Sequence, residues 1–158
     1  MFEIGDYVVC PGHGVGQVSD VEQDSSLSSG KAFYHIRLIS NGMKYMVPTD
    51  NKNGVRALVD SDEIGEVFLL LKNHDVKLDT STWNRRYREY MEKVKTGSLL
   101  EIADVLRSLL LLKNNKTLSD GERKMLRQCK ELLVKEIAIS QGNDEDQVSH
   151  DIDACFNE

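Results

Sequence analysis

VRALVDSDEIGEVFLLLK, residues 55–72, is where the chain changes its period. Before Asp60 the apolar residues come at strand spacing. After it, Ile64, Val67, Phe68 and Leu71 recur at the three-and-four spacing of one helix face. Asp60 and Ser61 suit the start of that helix, because their side-chain oxygens can accept from its first free backbone N–H groups. The stretch therefore predicts an α+β chain, β first and helical after, with a boundary near residue 60.

Toward the N-terminus the signals are all of short strands. Tyr7-Val8-Val9 ends at Pro11-Gly12, Val15, Val18 and Val21 follow, and Ser28-Ser29-Gly30 is a turn. Phe33, Ile36 and Leu38 form a third strand, Asn41-Gly42 is a strong hairpin signal, and Lys44 to Val47 runs into Pro48. With Val55 to Val59 as a fifth strand, the expectation is a small, strongly bent barrel of SH3 or Tudor type. Toward the C-terminus, a polar stretch at 74–82 precedes a helix from Trp83 to about Lys95, stopped at Gly97. Ser98-x-x-Glu101 and Ser119-x-x-Glu122 then open two more helices with capping-box patterns. Residues 143–156 read as a short, acidic and weak helix.

The net charge of −6 argues at first against nucleic acid, but the average hides a division. Residues 1–82 carry 7 Lys/Arg against 12 Asp/Glu, residues 83–140 carry 13 against 8, and residues 141–158 carry none against 6. A basic segment thus begins at the only tryptophan, and a local patch matters more for nucleic acid than the total. No apolar run approaches the roughly 18 residues of a membrane span, and the N-terminus lacks the basic-then-apolar pattern of a signal peptide. Cys10, Cys129 and Cys155 are far apart and form no CxxC, which favours a reducing cytoplasm.

Catalytic and metal chemistry find no purchase. PGHGVG at 11–16 lacks the spacing and the Lys-Ser/Thr ending of a phosphate loop, and an alternating strand follows it, so it reads as a hairpin turn. Cys10 and His13, like His35, His74 and His150, show no ligand spacing. No activated nucleophile is suggested. The expectation is a non-enzymatic protein without metal or cofactor. TWNRRYREYMEK, residues 82–93, is the exception to this blandness. Positions 83, 87, 90, 91 and 94 share a broad apolar face, so Trp83 could open an ordinary core stripe. Equally, it opens a helix after a polar stretch, beside Arg85, Arg86 and Arg88, where an exposed ring and phosphate-binding groups would meet nucleic acid. These residues alone leave both readings open.

The chain resembles the CarD/CdnL family of bacterial RNA polymerase-binding transcription regulators over roughly residues 2–140. The resemblance rests on FEIGDYVVCPGHGVGQV at the start, MVP at 46–48, the W-x-R-R-Y of 83–87 followed by Gly97, and LSDGERKMLRQCKELLVKE at 118–136. It implies a Tudor-like domain over 1–59, similar to the polymerase-interacting domain of transcription-repair coupling factor, that docks on the polymerase β subunit. It also implies a compact helical DNA-binding domain over 60–158, with an acidic segment at 141–158. The function implied is stabilisation of the promoter open complex by a tryptophan wedged into the minor groove at the upstream fork of the bubble.

By motif, the resemblance makes Trp83 the wedge, and places Arg85, Arg86, Arg88, Arg123 and Lys124 at the DNA. It places Asp24, Lys44, Met46, Val47 and Pro48 at the polymerase. Some members carry arginines at the positions of Asp24 and Met46, so here the contact would rely more on strand edge and apolar packing. The usual tyrosine before proline is Cys10. A cytoplasmic monomer acting through polymerase at the nucleoid is implied, with no membrane role. The alternative is a Tudor-like protein- or peptide-binding adaptor with Trp83 in its core and no direct DNA role.

Overall fold

The structure, a computed structural model, describes residues 2–23, 32–50 and 54–157. The chain divides into two compact units, Met1–Leu58 and Val59–Glu158. The first is an antiparallel sheet of β1 (Tyr7–Cys10), β2 (Gly14–Gln23), β3 (Ala32–Leu38), β4 (Lys44–Pro48) and β5 (Arg56–Ala57), in the order β4-β3-β2-β1-β5. PGHGVG is the β1–β2 hairpin, with Cys10 opposite Gly14 and both Gly12 and Gly14 at positive φ. Gly16 is needed for packing instead: a Cβ there would lie 2.5 Å from Ile36 Cγ2. Val8, Cys10, Val18, Tyr34, Ile36 and Leu38 form the core, and β3 shows the alternation that one buried face requires.

Two expectations for this unit need correction. Among the described residues the sheet does not close into a barrel: β5 is only two residues long and pairs with Val8 and Val9 of β1. Val59, expected to end that strand, instead belongs to the helical core. Asn41-Gly42 does lie in the β3–β4 turn, with Gly42 at φ +70°, but the connection is longer than a two-residue hairpin: Leu38 N donates to the Met43 carbonyl. The turn expected at Ser28-Ser29-Gly30, and Asp24 with it, lie outside the described residues.

The second unit contains α1 (Ser61–Lys72), α2 (Trp83–Lys95), α3 (Leu99–Lys113), α4 (Asp120–Gln141) and α5 (Glu145–Ala154). Asp60, Ser98, Ser119 and Asp144 cap α1, α3, α4 and α5 through side-chain oxygens, and Ser119 with Glu122 completes a reciprocal capping box. α3 is the central element, burying Leu99, Ile102, Ala103, Val105, Leu106, Leu109 and Leu112. Gly142, at φ +67°, ends α4 in a left-handed turn. The acidic segment then returns as α5, with Val148, Ile152 and Cys155 buried in the same core. Both backbone groups of Val59 are fastened to α4: its N–H donates to Glu136 Oε2 at 2.9 Å, and its carbonyl accepts from Ser140 Oγ at 2.6 Å. The Cys129 thiol, fully enclosed, is pushed up to about 12 by burial and is inert as a nucleophile.

Candidate nucleic-acid interface

The site grows from the start of α2. Thr82 occupies the N-cap position but makes no side-chain cap bond, and no acidic residue lies in the first turn. The first N–H groups therefore keep their partial positive charge. Trp83 sits on this turn, half-buried against the helical core. Its indole lies against the first turn of α4, so closely that a Cβ on Gly121 would be 2.8 Å from Nε1 and 3.2 Å from Cε2. The Arg86 guanidinium lies over the ring at 5.2 Å, and Tyr87 meets it edge-on at 5.6 Å. The indole is thus neither a core residue nor a free ring; it is seated and partly exposed.

A buried ion pair supports this seat. Arg86, 4% exposed, donates from Nη1 to Glu122 Oε2 at 3.0 Å and from Nε to the Ser81 carbonyl at 3.0 Å. Glu122, 1% exposed, also accepts at Oε1 from Lys116 Nζ and from the Ser119 amide, each at 2.9 Å. Burial alone would raise the Glu122 carboxyl. The Ser119 amide, Lys116, Arg86 and the Ser119 hydroxyl outweigh it and bring the group down to about 2. Beside the pair, Tyr90 is buried, and burial raises its phenol against the opposing pull of Arg86. Asp79 accepts from the Ser81 amide at 2.8 Å; Ser81, then the charges of Arg85 and Arg86, hold its carboxyl low.

The residues expected to touch DNA therefore separate into three kinds. Arg85, Arg88 and Lys124 are exposed and make no ion pair among the described residues. Arg123 is half-exposed, paired to Asp120 and donating to the Leu118 carbonyl. Arg86 leaves the phosphate-binding set: its guanidinium is enclosed and committed to Glu122, Ser81 and the indole. Tyr87, expected on the apolar face, is 45% exposed, and Arg86 takes its place inward beside Tyr90 and Val94. In the β unit, β4 is an edge strand whose residues alternate between faces. Lys44, Met46 and Pro48 are exposed, Met46 at 58%. Val47 packs its side chain on the β core.

Residues 2–59 match the family model described as "CarD-like/TRCF RID domain", and residues 66–153 match "CarD, C-terminal domain". The chain belongs to the CarD family. The Bacillus subtilis (strain 168) protein named "Putative transcription factor YdeB" is 31% identical over 150 residues, covering 94% of this chain and 97% of that protein. Within a CarD-family chain, the two matched segments correspond to the sheet and to the helical unit that holds the Trp83 seat. Among the described residues no helix is long and apolar enough to cross a membrane, and no group of three or more His, Cys, Asp or Glu could hold a metal ion. Sequence reasoning missed Gly121 and Glu122 as parts of the seat. A glycine inside a capping box, S-D-G-E at 119–122, was the available signal, since glycine in a first turn wants a reason.

Proposed function

We propose that this CarD-family regulator binds RNA polymerase through the exposed edge of its β unit, at the β subunit. Its helical unit then places Trp83 in the minor groove of promoter DNA at the upstream fork, slowing closure of the bubble. The observation that carries this reading is the seat: a partly exposed indole at an uncapped helix N-terminus, held from behind by Arg86 and Glu122 and flanked by Arg85 and Arg88. A ring already seated has less conformational entropy to lose on entering DNA than a mobile one. Phosphate contacts fall to the exposed Arg85, Arg88, Arg123 and Lys124.

Tethering to polymerase raises the effective concentration of the helical unit at the DNA, so one modest basic patch suffices in an acidic monomer. Base–aromatic contacts are worth ~1–3 kcal/mol by alanine substitution. At ~1.4 kcal/mol per factor of ten, one ring can lengthen open-complex lifetime several-fold or more. No catalytic step is required, and the protein acts in the cytoplasm wherever polymerase meets promoters.

The test is Trp83→Ala, assayed for melting temperature, polymerase capture and open-complex half-life on the same promoter. A half-buried ring should cost about 1–2 kcal/mol on truncation, short of the ~3–5 kcal/mol of a core aromatic. The variant should therefore remain folded at 25 °C and still capture polymerase, while the half-life falls several-fold. An unchanged half-life with retained polymerase capture would leave an adaptor without a DNA role.

A further inference from the structure

Of the aromatic rings gathered at the seat, the most exposed is not the indole. Trp83 is half-buried, with its Nε1 side against Gly121 and its ring under Arg86. Tyr87, one turn later on α2, is 45% exposed and meets the indole edge-on at 5.6 Å. Its hydroxyl has no hydrogen-bond partner among the described residues. A tyrosine at the rim of a core ordinarily leaves its polar tip in water, so exposure by itself assigns nothing.

The surroundings of Tyr87 make the difference. At ~3.6 residues per turn, Asn84, Tyr87, Arg88, Met91 and Lys95 share one flank of α2, and Glu89 and Glu92 lie farther round it beside Arg85. The Tyr87 flank therefore carries cations and no carboxylate of its own helix. Arg88 and Lys95 are exposed, and neither makes an ion pair among the described residues, although Glu92 follows Arg88 by four positions. Lys93, by contrast, is committed to Asp104. Two unpaired cations ~10 Å apart along the helix axis, beside an exposed ring with a free hydroxyl, match a stretch of sugar–phosphate backbone. Phosphates take the cations, the apolar sugar takes the ring, and the hydroxyl donates to a phosphate oxygen.

We propose that Tyr87 is a second promoter contact, its hydroxyl donating to a DNA phosphate on a track that runs along α2 past Arg88 to Lys95. This contact rests on the promoter reading of the Trp83 seat and gives the DNA a direction across the helix. Open-complex half-life on one promoter, with the full chain and polymerase, tests it in Tyr87→Phe, Tyr87→Ala, Lys95→Ala, Trp83→Ala and Trp83→Ala combined with Tyr87→Phe. Tyr87→Phe keeps the ring against the indole, so melting temperature, tryptophan emission and polymerase capture should match wild type. Its half-life should nevertheless fall about threefold or more. Tyr87→Ala should shorten the half-life further, about tenfold. Lys95→Ala should make the half-life less dependent on salt, as loss of one phosphate contact requires. In the Trp83→Ala background Tyr87→Phe should still shorten the half-life, because a hydroxyl on phosphate does not act through the indole. If Trp83→Ala shortened the half-life and Tyr87→Phe did not, the Tyr87 contact would be overturned and the promoter reading would stand; unchanged half-lives in both would overturn both. Loss of the phenylalanine effect in the Trp83→Ala background would reduce Tyr87 to a support for the indole and overturn the contact. An unaltered salt dependence in Lys95→Ala would overturn the track along this flank.

Discussion

Gly121→Ala isolates the seat of Trp83. In a helix interior, exchanging glycine for alanine ordinarily stabilises by ~1 kcal/mol, and at the second position of α4 that is an upper bound on the gain. Against it stands a new methyl group 2.8 Å from Nε1 and 3.2 Å from Cε2 of a flat, stiff ring, closer than carbon and nitrogen can pack. Overpacking of this kind costs ~1–3 kcal/mol, and because the ring is only half-buried it can relieve the clash by swinging outward. The net expectation is a loss of about 1 kcal/mol, or ~4–8 °C in the melting temperature of a unit of about this size. Trp83 is the only tryptophan, so fluorescence-detected unfolding follows the helical unit, and the emission maximum should move to longer wavelength as the indole becomes wetter. Gly65→Ala supplies the internal control. Gly65 lies in α1 with nothing within 4 Å of an added Cβ, so the same exchange there should stabilise by ~1 kcal/mol. If Gly121→Ala melted at or above the wild-type temperature with unshifted emission, the indole would not be seated on α4.

Three further perturbations probe the support and the partner edge. Arg86→Met leaves the buried Glu122 carboxylate with Lys116 as its remaining cation and should destabilise by up to ~3–5 kcal/mol; adding Glu122→Gln should recover part of that, a coupling that a double-mutant cycle in urea measures. Glu122 lies at about 2 in the fold against an ordinary 4.5, so its contribution is full above about pH 4.5 and disappears as the pH falls toward 2. The interval corresponds to about 3 kcal/mol, and Glu122→Gln should flatten the acid limb of a melting-temperature profile over that window. Met46→Glu, on the exposed side of edge strand β4, should weaken capture of the polymerase β subunit with the fold intact, whereas Met46→Arg should be tolerated; equal capture by wild type and Met46→Glu would remove β4 from the interface.

What the amino-acid sequence determined alone was what short-range chemistry controls. Helix starts were legible at Asp60, Ser98 and Ser119 because a cap needs only an oxygen three residues from an amide, and the change of period at Asp60 was visible because burial of one face imposes it locally. The motifs around Trp83 and Met46 were legible only through the family resemblance, since the residues there left Trp83 open between a core stripe and an exposed ring.

Tertiary structure alone decided which way Arg86 and Tyr87 point. A local rule sends an arginine to solvent and a tyrosine inward, and here the reverse holds because Glu122, 36 residues away, supplies the carboxylate that makes a buried guanidinium tolerable. The same distance hid the role of Gly121, whose missing side chain has meaning only once an indole from another helix lies across it. It hid the docking of α5 as well, where an acidic and weakly patterned segment is held by Val148, Ile152 and Cys155 against a core assembled from distant helices. Burial and pairing across such separations depend on which surfaces the fold brings together, and no local pattern encodes that.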